Sequence, residues 1–195
     1  MLLKVGEKAP VFSLPDADME MATNAIMGAA YGAAGERCMA LSVVLAVGDN
    51  TADDLCARLE KQIAALRVGP GLDQTPENEM GPLISSAHRS KVLGYIDSGE
   101  AQGAKLRVDG RGFSVKGQEQ GYFVGPTLFD NVTPEMTIYK EEIFGPVLAI
   151  ITFRTVDEAI EKANNTAYGL SAGVWTDKGS RILKMSTELK AGVVW

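Results

Sequence analysis

The chain has 195 residues, of which 46% are hydrophobic and 23% are charged, a balance typical of one globular domain with a sizeable core. Its formal net charge of −6 disfavours a nucleic-acid partner, and its apolar runs are too short to span a membrane. One histidine and two cysteines argue against a structural zinc site or a disulfide framework, and they fit a reducing compartment, the cytoplasm.

Hydrophobic periodicity, caps and turn residues predict short strands that alternate with helices. In chain order the predicted elements are a strand at 8–14, a helix at 19–34, a strand at 41–47, a helix at 51–68, a helix capped at 85 or 86 that runs to 101, a strand at 104–108, an extended segment at 122–132, a single helical turn within 136–143, a strand at 147–153, a helix capped at 155 that runs to 164, a strand at 170–176, a helix at 178–189 and the opening of a strand at 192–195.

Four residues in or beside these elements carry further predictions. Pro10 favours an edge strand or an extended entry for the first segment, and Asp16 or Asp18 is expected to cap the first helix. Cys56 lies on the apolar stripe of the second helix, so it is assigned to core packing.

Buried strands alternating with helices predict an α/β fold, in which a mainly parallel sheet carries helices on both faces. The run 41–47 is almost continuously apolar, as in a strand that is covered on both faces. The last predicted strand stops inside an apolar run at Trp195. We therefore expect the chain to be a fragment of a longer one.

Residues 28–42 place a thiol where it can act as a nucleophile. Small residues lead to Gly35, a charged pair follows, and Cys38 stands just before the apolar run. Gly35 can adopt angles that a side chain forbids, and small residues let another backbone approach closely. With Arg37 beside it, Cys38 is placed where thiolate is favoured and a substrate can reach it. The alternative is a helix that ends at a glycine, followed by a cysteine that packs as a small hydrophobe.

Two later stretches give this thiol a context. They are 139–147, Tyr-Lys-Glu-Glu-Ile-Phe-Gly-Pro-Val, and 168–176, Tyr-Gly-Leu-Ser-Ala-Gly-Val-Trp-Thr. Together with Gly35-Glu36-Arg37-Cys38, these ordered motifs resemble the aldehyde dehydrogenase superfamily over nearly the whole chain. The part from 28 to about 147 is most similar to the methylmalonate-semialdehyde dehydrogenase branch, whereas the tail from 168 is more similar to general aldehyde dehydrogenases.

The resemblance implies a reaction centred on Cys38. This residue matches the nucleophile that attacks the aldehyde, and the resulting thiohemiacetal gives hydride to NAD to form a thioester. Water resolves that thioester or, in the methylmalonate-semialdehyde branch, coenzyme A does. The oxyanion that forms during the attack needs a donor, such as the backbone amide of Cys38.

The resemblance also implies binding roles for three residues. Arg37 matches an arginine that binds a substrate carboxylate, and the alternative is a surface ion pair with Glu36. Glu142 matches the glutamate that holds the nicotinamide ribose, and the alternative is a solvated acidic pair with Glu141. Phe144 matches the aromatic residue beside the nicotinamide, and the alternative is a core phenylalanine.

Parts of the family pattern have no counterpart in the sequence. No Gly-x-Gly-x-x-Gly follows a strand, and the dinucleotide-binding domain, its asparagine oxyanion donor and the oligomerisation strands are lacking. The position near Lys4, where hydrolytic branches carry a general-base glutamate, is not acidic, and Glu7 lies on the wrong side of Gly6. We therefore expect a single aldehyde dehydrogenase catalytic domain over residues 1–195, truncated at both ends.

The resemblance implies the catalytic domain of an NAD-dependent dehydrogenase of small aldehydes or semialdehydes, with an acyl-coenzyme A as one alternative product. The isolated chain is expected to be weakly active or inactive, because hydride transfer needs a firmly held nicotinamide. One alternative is an inert fragment whose exposed apolar surface favours a homo-oligomer. Another is a residual thiol esterase on Cys38, and a third is a Cys–His hydrolase that rests on His88 alone. His88 is predicted to be a surface residue.

Overall fold

The structure is a computed structural model that describes residues 9–72 and 77–195. Its elements are, in chain order, β1 (Ala9–Ser13), α1 (Met19–Tyr31), a 3₁₀ turn (Gly32–Gly35), β2 (Leu41–Val47), α2 (Asp49–Ala65), α3 (Ser86–Ala101), β3 (Lys105–Val108), β4 (Thr127–Asp130), α4 (Thr137–Lys140), β5 (Val147–Phe153), α5 (Val156–Asn164), β6 (Ser171–Trp175), α6 (Gly179–Glu188) and β7 (Val193–Val194). Within the described ranges, no helix is long and apolar enough to cross a membrane.

The strands of the described chain form one seven-stranded sheet in the order β3-β4-β5-β2-β1-β6-β7. Neighbouring strands run parallel throughout, except β3 and β4, which are antiparallel. Parallel neighbours need crossover connections, which the helices provide. The strand predicted to open at 192–195 is present as β7, parallel to β6.

The centre of the sheet is covered on both faces. Consecutive residues of a strand point to opposite faces, and both Val44 and Leu45 of β2 are fully buried. Leu148 and Ala149 of β5 are likewise at most 1% exposed. Helices α1 and α2 pack on each other and on β2 and β5, and α5 packs on the same two strands. The predicted α/β fold, with a mainly parallel sheet and helices on both faces, is confirmed.

β1 lies inside the sheet, so the prediction of an edge strand for residues 8–14 is wrong. It pairs with β2 on one side and with β6 on the other. Its register with β2 shifts between Ala9 and Pro10, and its pairing with β6 starts only at Val11. The missing N–H of Pro10 therefore falls at an irregularity of the ladder, where proline is tolerated.

Three helices begin at the predicted caps. Asp18 caps α1, Ser85 caps α3 and Thr155 caps α5, each accepting a hydrogen bond from an amide of the first turn. The second helix begins and ends earlier than predicted, at Asp49–Ala65. Cys56 lies on its buried side and is 1% exposed, which confirms its assignment to the core.

Asp16, which is not the cap of α1, joins the turn after β1 to the turn after β6. Its carboxylate accepts hydrogen bonds from Thr176 Oγ1 at 2.6 Å and the Asp177 amide at 2.9 Å, and it pairs with Arg181. Burial alone raises the pKa of Asp16, but these hydrogen bonds and the Arg181 charge outweigh burial and hold the pKa below its usual value. The ionised carboxylate therefore stabilises this connection.

Candidate functional site

The register of the sheet brings two of the sequence motifs to the same edge. β2 and β5 are adjacent and parallel, with Val43 opposite Ala149. Cys38 lies three positions before the first residue of β2, and Phe144 lies three positions before the first residue of β5. Segments that lead into adjacent parallel strands in register must lie side by side. The Cys38 and Phe144 segments are therefore neighbours at the amino ends of these strands.

A contact between two glycines brings these segments together. Gly35 has a φ of +71°, and a Cβ built on it would lie 2.3 Å from the carbonyl oxygen of Gly145. Only a residue without a side chain permits both this angle and this approach. The expectation that small residues before Cys38 allow another backbone to come close is confirmed.

The segment that carries Cys38 begins where α1 ends. We call residues 32–40 the Cys38 turn. The helix ends at Tyr31 rather than at residue 34, because Ala33 and Ala34 have φ values of 52° and 54° and cannot continue it. The Tyr31 side chain is fully buried, and its hydroxyl donates to the carbonyl oxygen of Thr127 at 3.0 Å. This bond fixes the start of the Cys38 turn to the strand next to β5.

Cys38 is an exposed free thiol. The alternative of a cysteine that packs as a small hydrophobe does not fit this exposure. The backbone amides of Cys38 and Met39 donate no hydrogen bond to any group in the described part of the chain. The turn therefore offers a nucleophilic atom together with unused N–H donors.

Arg37 makes no ion pair with any carboxylate among residues 9–72 and 77–195. Its guanidinium lies over Gly32, where a Cβ would be 3.2 Å from both terminal nitrogens. Glu36 instead lies 3.5 Å from His88 Nε2 and accepts the Ile84 amide hydrogen at 3.3 Å. The alternative ion pair between Arg37 and Glu36 is therefore not formed, and a positive charge next to Cys38 stays available to a ligand.

Glu142 and Phe144 reach a small recess beside the Cys38 turn. We call it the Glu142 recess, and it is lined by Gly35, Arg37, Ala40, Leu41, Ser42, Glu142, Ile143, Phe144 and Gly145. Phe144 is 37% exposed, whereas Ile143 is 2% exposed and packs in the core. The alternative of a core phenylalanine is thus wrong, because the buried residue is its neighbour.

The two glutamates before Phe144 differ in their surroundings. Glu141 is exposed, and its carboxylate accepts a hydrogen bond of 2.7 Å from the Tyr95 hydroxyl. Glu142 is half-buried and lines the recess. The pair is therefore not a uniformly solvated acidic patch.

Sequence reasoning missed two residues of this region. His88, predicted to be a surface residue, is only 17% exposed in its side chain, and its Nε2 lies 2.6 Å from the carbonyl oxygen of Phe144. Ser42 lines the Glu142 recess, and its buried hydroxyl has no hydrogen-bond partner among the described residues. Ser42 ends the stretch that carries Cys38 but has no residue type that points to chemistry there, and His88 reaches the site from α3 through a contact between distant segments.

Two further predictions concern a metal site and a general-base glutamate. Among the described residues, no group of three or more His, Cys, Asp or Glu side chains is placed to hold a metal ion. The comparison of Lys4 and Glu7 with a general-base glutamate falls outside the described residues.

Comparison with known proteins gives the site a context. The model of the aldehyde dehydrogenase family matches residues 1–195. Malonate-semialdehyde dehydrogenases from Pseudomonas aeruginosa and Halalkalibacterium halodurans are 50% and 46% identical over 189 residues, 97% of this chain. The chain spans 38% of the length of these curated relatives.

Solved structures show the same likeness. Methylmalonate-semialdehyde dehydrogenase from Oceanimonas doudoroffii superposes with a TM-score of 0.94 at 45% identity, over 97% of this chain and 38% of the other. The NAD⁺ complex of an aldehyde dehydrogenase from Bacillus cereus gives a TM-score of 0.90 at 40% identity, over 97% of this chain and 37% of the other. Motifs, fold and relatives agree, and the chain belongs to the aldehyde dehydrogenase family.

Proposed function

We propose that this chain supplies the cysteine-bearing part of an NAD-dependent dehydrogenase of small semialdehydes that carry a carboxylate, such as malonate or methylmalonate semialdehyde. The observation that carries the proposal is the meeting of three groups at one edge of the sheet: the exposed Cys38 thiol, the Arg37 guanidinium, which forms no ion pair among the described residues, and the segment with Glu142 and Phe144. The names of the relatives support the substrate class.

In the proposed reaction, the Cys38 thiolate attacks the aldehyde carbon and the carbonyl oxygen becomes an oxyanion. The unused amides of Cys38 and Met39 are the described donors nearest to the nucleophile in the chain, and they support stabilisation of that oxyanion. One short turn thus carries the nucleophile and the donors for the oxyanion.

Arg37 gives the proposal its substrate class. A guanidinium binds a carboxylate through two parallel hydrogen bonds, and this geometry is lost if the arginine is already engaged in an ion pair. Because Glu36 is turned toward His88, Arg37 is left to bind the carboxylate of the substrate. The aldehyde carbon would then lie within reach of the adjacent Cys38.

The residues at the Glu142 recess fit a nicotinamide cofactor. NAD, when bound, supplies the hydride acceptor. The half-buried Glu142 carboxylate suits the two adjacent hydroxyl donors of a ribose, and the exposed Phe144 ring suits a flat ring packed beside it. The proposal keeps water or coenzyme A as the acyl acceptor. It also keeps the cytoplasm as the location, because both cysteines are free.

A chimera tests the proposed function. Residues 9–195 replace the matching region of the Pseudomonas aeruginosa malonate-semialdehyde dehydrogenase, and NADH formation from malonate semialdehyde is followed by absorbance. We expect turnover that falls by about 10³-fold or more in Cys38→Ser, and by less than about twofold in the matched control Cys56→Ala. Turnover that survives Cys38→Ser would refute the assignment of the nucleophile.

A thiol esterase is the second candidate, favoured by the exposure of Cys38 and its unused amides, which need no cofactor. Release of nitrophenol from a nitrophenyl ester by the purified chain measures this activity. We expect slow release that is lost in Cys38→Ser and kept in Cys56→Ala, and release that persists in Cys38→Ser would exclude the candidate.

A further inference from the structure

His88, in the first turn of α3, contacts both segments that meet at the site. Its Nε2 lies 2.6 Å from the carbonyl oxygen of Phe144 and 3.5 Å from Oε1 of Glu36. The side chains of His88 and Glu36 are only 17% and 15% exposed, so water competes little for these contacts. The imidazole therefore joins α3, the Cys38 turn and the segment before β5.

The chemistry of these groups fixes where the proton lies. A carbonyl oxygen only accepts hydrogen bonds, so the contact of 2.6 Å requires a proton on Nε2 of His88. The Glu36 carboxylate, 3.5 Å from the same nitrogen, is an acceptor when ionised. The imidazole acts here as a hydrogen-bond donor to the backbone.

The start of α3 is fixed independently of the imidazole. Ser85 Oγ accepts the amide hydrogen of His88 at 3.2 Å, and Glu36 accepts the amide hydrogen of Ile84 at 3.3 Å. These bonds hold the helix against the Cys38 turn. The histidine ring therefore extends from a rigid base toward Phe144.

Phe144 needs an outside constraint because its backbone lies in the left-handed region, with a φ of 57°. This region is unfavourable for a residue with a Cβ. The conformation leaves the Phe144 ring exposed while Ile143 and Gly145 on either side are buried. The rings of His88 and Phe144 also meet edge to face, with centroids 6.4 Å apart. His88 thus supports the strained residue through both its backbone and its ring.

We propose that His88 is a positioning residue, whose N–H bond to the Phe144 carbonyl holds Phe144 and Glu142 toward the Cys38 turn. The inference rests on the proposed function, in which Phe144 and Glu142 contact the cofactor. Without the bond, Phe144 relaxes toward negative φ, and its ring and the Glu142 carboxylate leave the recess. His88 acts through Phe144 in this arrangement.

The imidazole can be observed directly, because His88 is the only histidine of the chain. In the ¹⁵N-labelled 195-residue chain, we expect a proton bonded to Nε2 that exchanges with water at least about tenfold more slowly than the N–H of free histidine. An Nε2 without a proton, or one with free-histidine exchange, would overturn the proposal.

Two variants test the positioning role through backbone order parameters measured by NMR relaxation. The amides of Phe144 and Gly145 are expected near the rigid value of about 0.85 in the native chain and below about 0.6 in His88→Ala. His88→Gln offers a side-chain N–H to the same carbonyl and is expected to restore rigidity, whereas amides of α2 stay unchanged in both variants. A loss of rigidity caused only by the missing bulk of the side chain would not depend on the N–H that His88→Gln supplies.

The proposal is overturned if the Phe144 and Gly145 amides stay rigid in a folded His88→Ala chain. It is also overturned if these amides are mobile in a folded His88→Gln chain. If His88→Ala does not fold, a rigid segment in His88→Gln supports the proposal. A chimera that fails to oxidise the semialdehyde would refute the proposed function and leave these results unchanged, so the two failures are distinguishable.

Discussion

Alkylation of the native chain should separate its two cysteines by orders of magnitude. Cys56 is 1% exposed within α2, whereas Cys38 is exposed. Burial, followed by the nearby Asp130 carboxylate, raises the pKa of the Cys56 thiol from 9.0 to about 12. Because only the thiolate reacts, this shift lowers the reactive fraction of Cys56 at pH 8 by about 10³-fold relative to an ordinary thiol.

Pulses of iodoacetamide at about pH 8, quenched in acid and read by peptide mass, measure both rates in one sample. A thiol that is also shielded from the reagent reacts only when α2 opens, so about 10³-fold is a lower bound for the protection of Cys56. The unfolded chain is the control, in which both cysteines should react at similar rates. Labelling of Cys56 within about tenfold of Cys38 in the native chain would refute the assignment of Cys56 to the core.

The raised pKa of the Cys56 thiol predicts that the chain loses stability at alkaline pH. The folded state raises the pKa of Cys56, so its contribution to stability is fully present below about pH 9 and is lost as the pH rises toward about 12. At about pH 10 the loss is about 1 kcal/mol. Urea unfolding of the native chain and of Cys56→Ala at about pH 8 and about pH 10 measures it. An equal alkaline loss in both chains would contradict the assignment.

Four further substitutions test the packing of the site and of the fold by urea unfolding. Gly35→Ala forces a Cβ to 2.3 Å from a carbonyl oxygen at a positive φ and should destabilise the chain by about 2–4 kcal/mol. The control Gly28→Ala places its Cβ where nothing lies within 4 Å and should stabilise the chain by about 0.5–1 kcal/mol. Equal effects of the two substitutions would contradict the close contact of Gly35. Ser42→Ala removes a buried hydroxyl that has no hydrogen-bond partner among the described residues, and it should be neutral or stabilising by up to about 1 kcal/mol. A loss of stability of more than about 1 kcal/mol would show that the hydroxyl makes a hydrogen bond. Asp16→Asn should destabilise the chain by about 1–3 kcal/mol at neutral pH. Because the folded state lowers the pKa of the Asp16 carboxyl, the difference in stability from the native chain should vanish as the pH falls through the folded pKa, which lies below 3.8. A difference in stability that persists in acid would show that the charge is not the cause.

The sequence predicts the central strands and the helix starts well because their causes are local. β2 and β5 are apolar at almost every position, a pattern typical of strands that are covered on both faces. Asp18, Ser85 and Thr155 cap the helices that follow them because their side chains reach amides of the next turn.

The sequence predicts less where the cause is a contact between distant segments. Pro10 predicts an edge strand or an extended entry for β1, since nothing local shows that the ladder shifts there. The pattern before Cys38 predicts a helix to residue 34, but Ala33 and Ala34 adopt positive φ beside Gly35, whose contact with another backbone is not visible in the sequence. His88 meets Phe144 across 56 positions of sequence.

Motifs in the sequence identify Cys38 as the candidate reactive residue, but they do not show which segments lie beside it. Cys38, Arg37, Glu142 and Phe144 were selected by resemblance, and the structure places their segments side by side through the pairing of β2 with β5. Their roles as nucleophile, carboxylate ligand and cofactor contacts stay predictions. The strand order that joins them could not be read from the sequence, because parallel neighbours are distant in the chain.

Acylation of the purified chain by nitrophenyl esters tests most directly that Cys38 is the nucleophile of this site. Intact and peptide mass should show one acyl group on Cys38, removable by hydroxylamine as a thioester, and none in Cys38→Ser. A malonate monoester should react faster than a neutral acetate ester, and Arg37→Ala should reduce this preference by about tenfold. Acyl groups on Cys56 or on lysines, or equal incorporation in Cys38→Ser, would contradict the account.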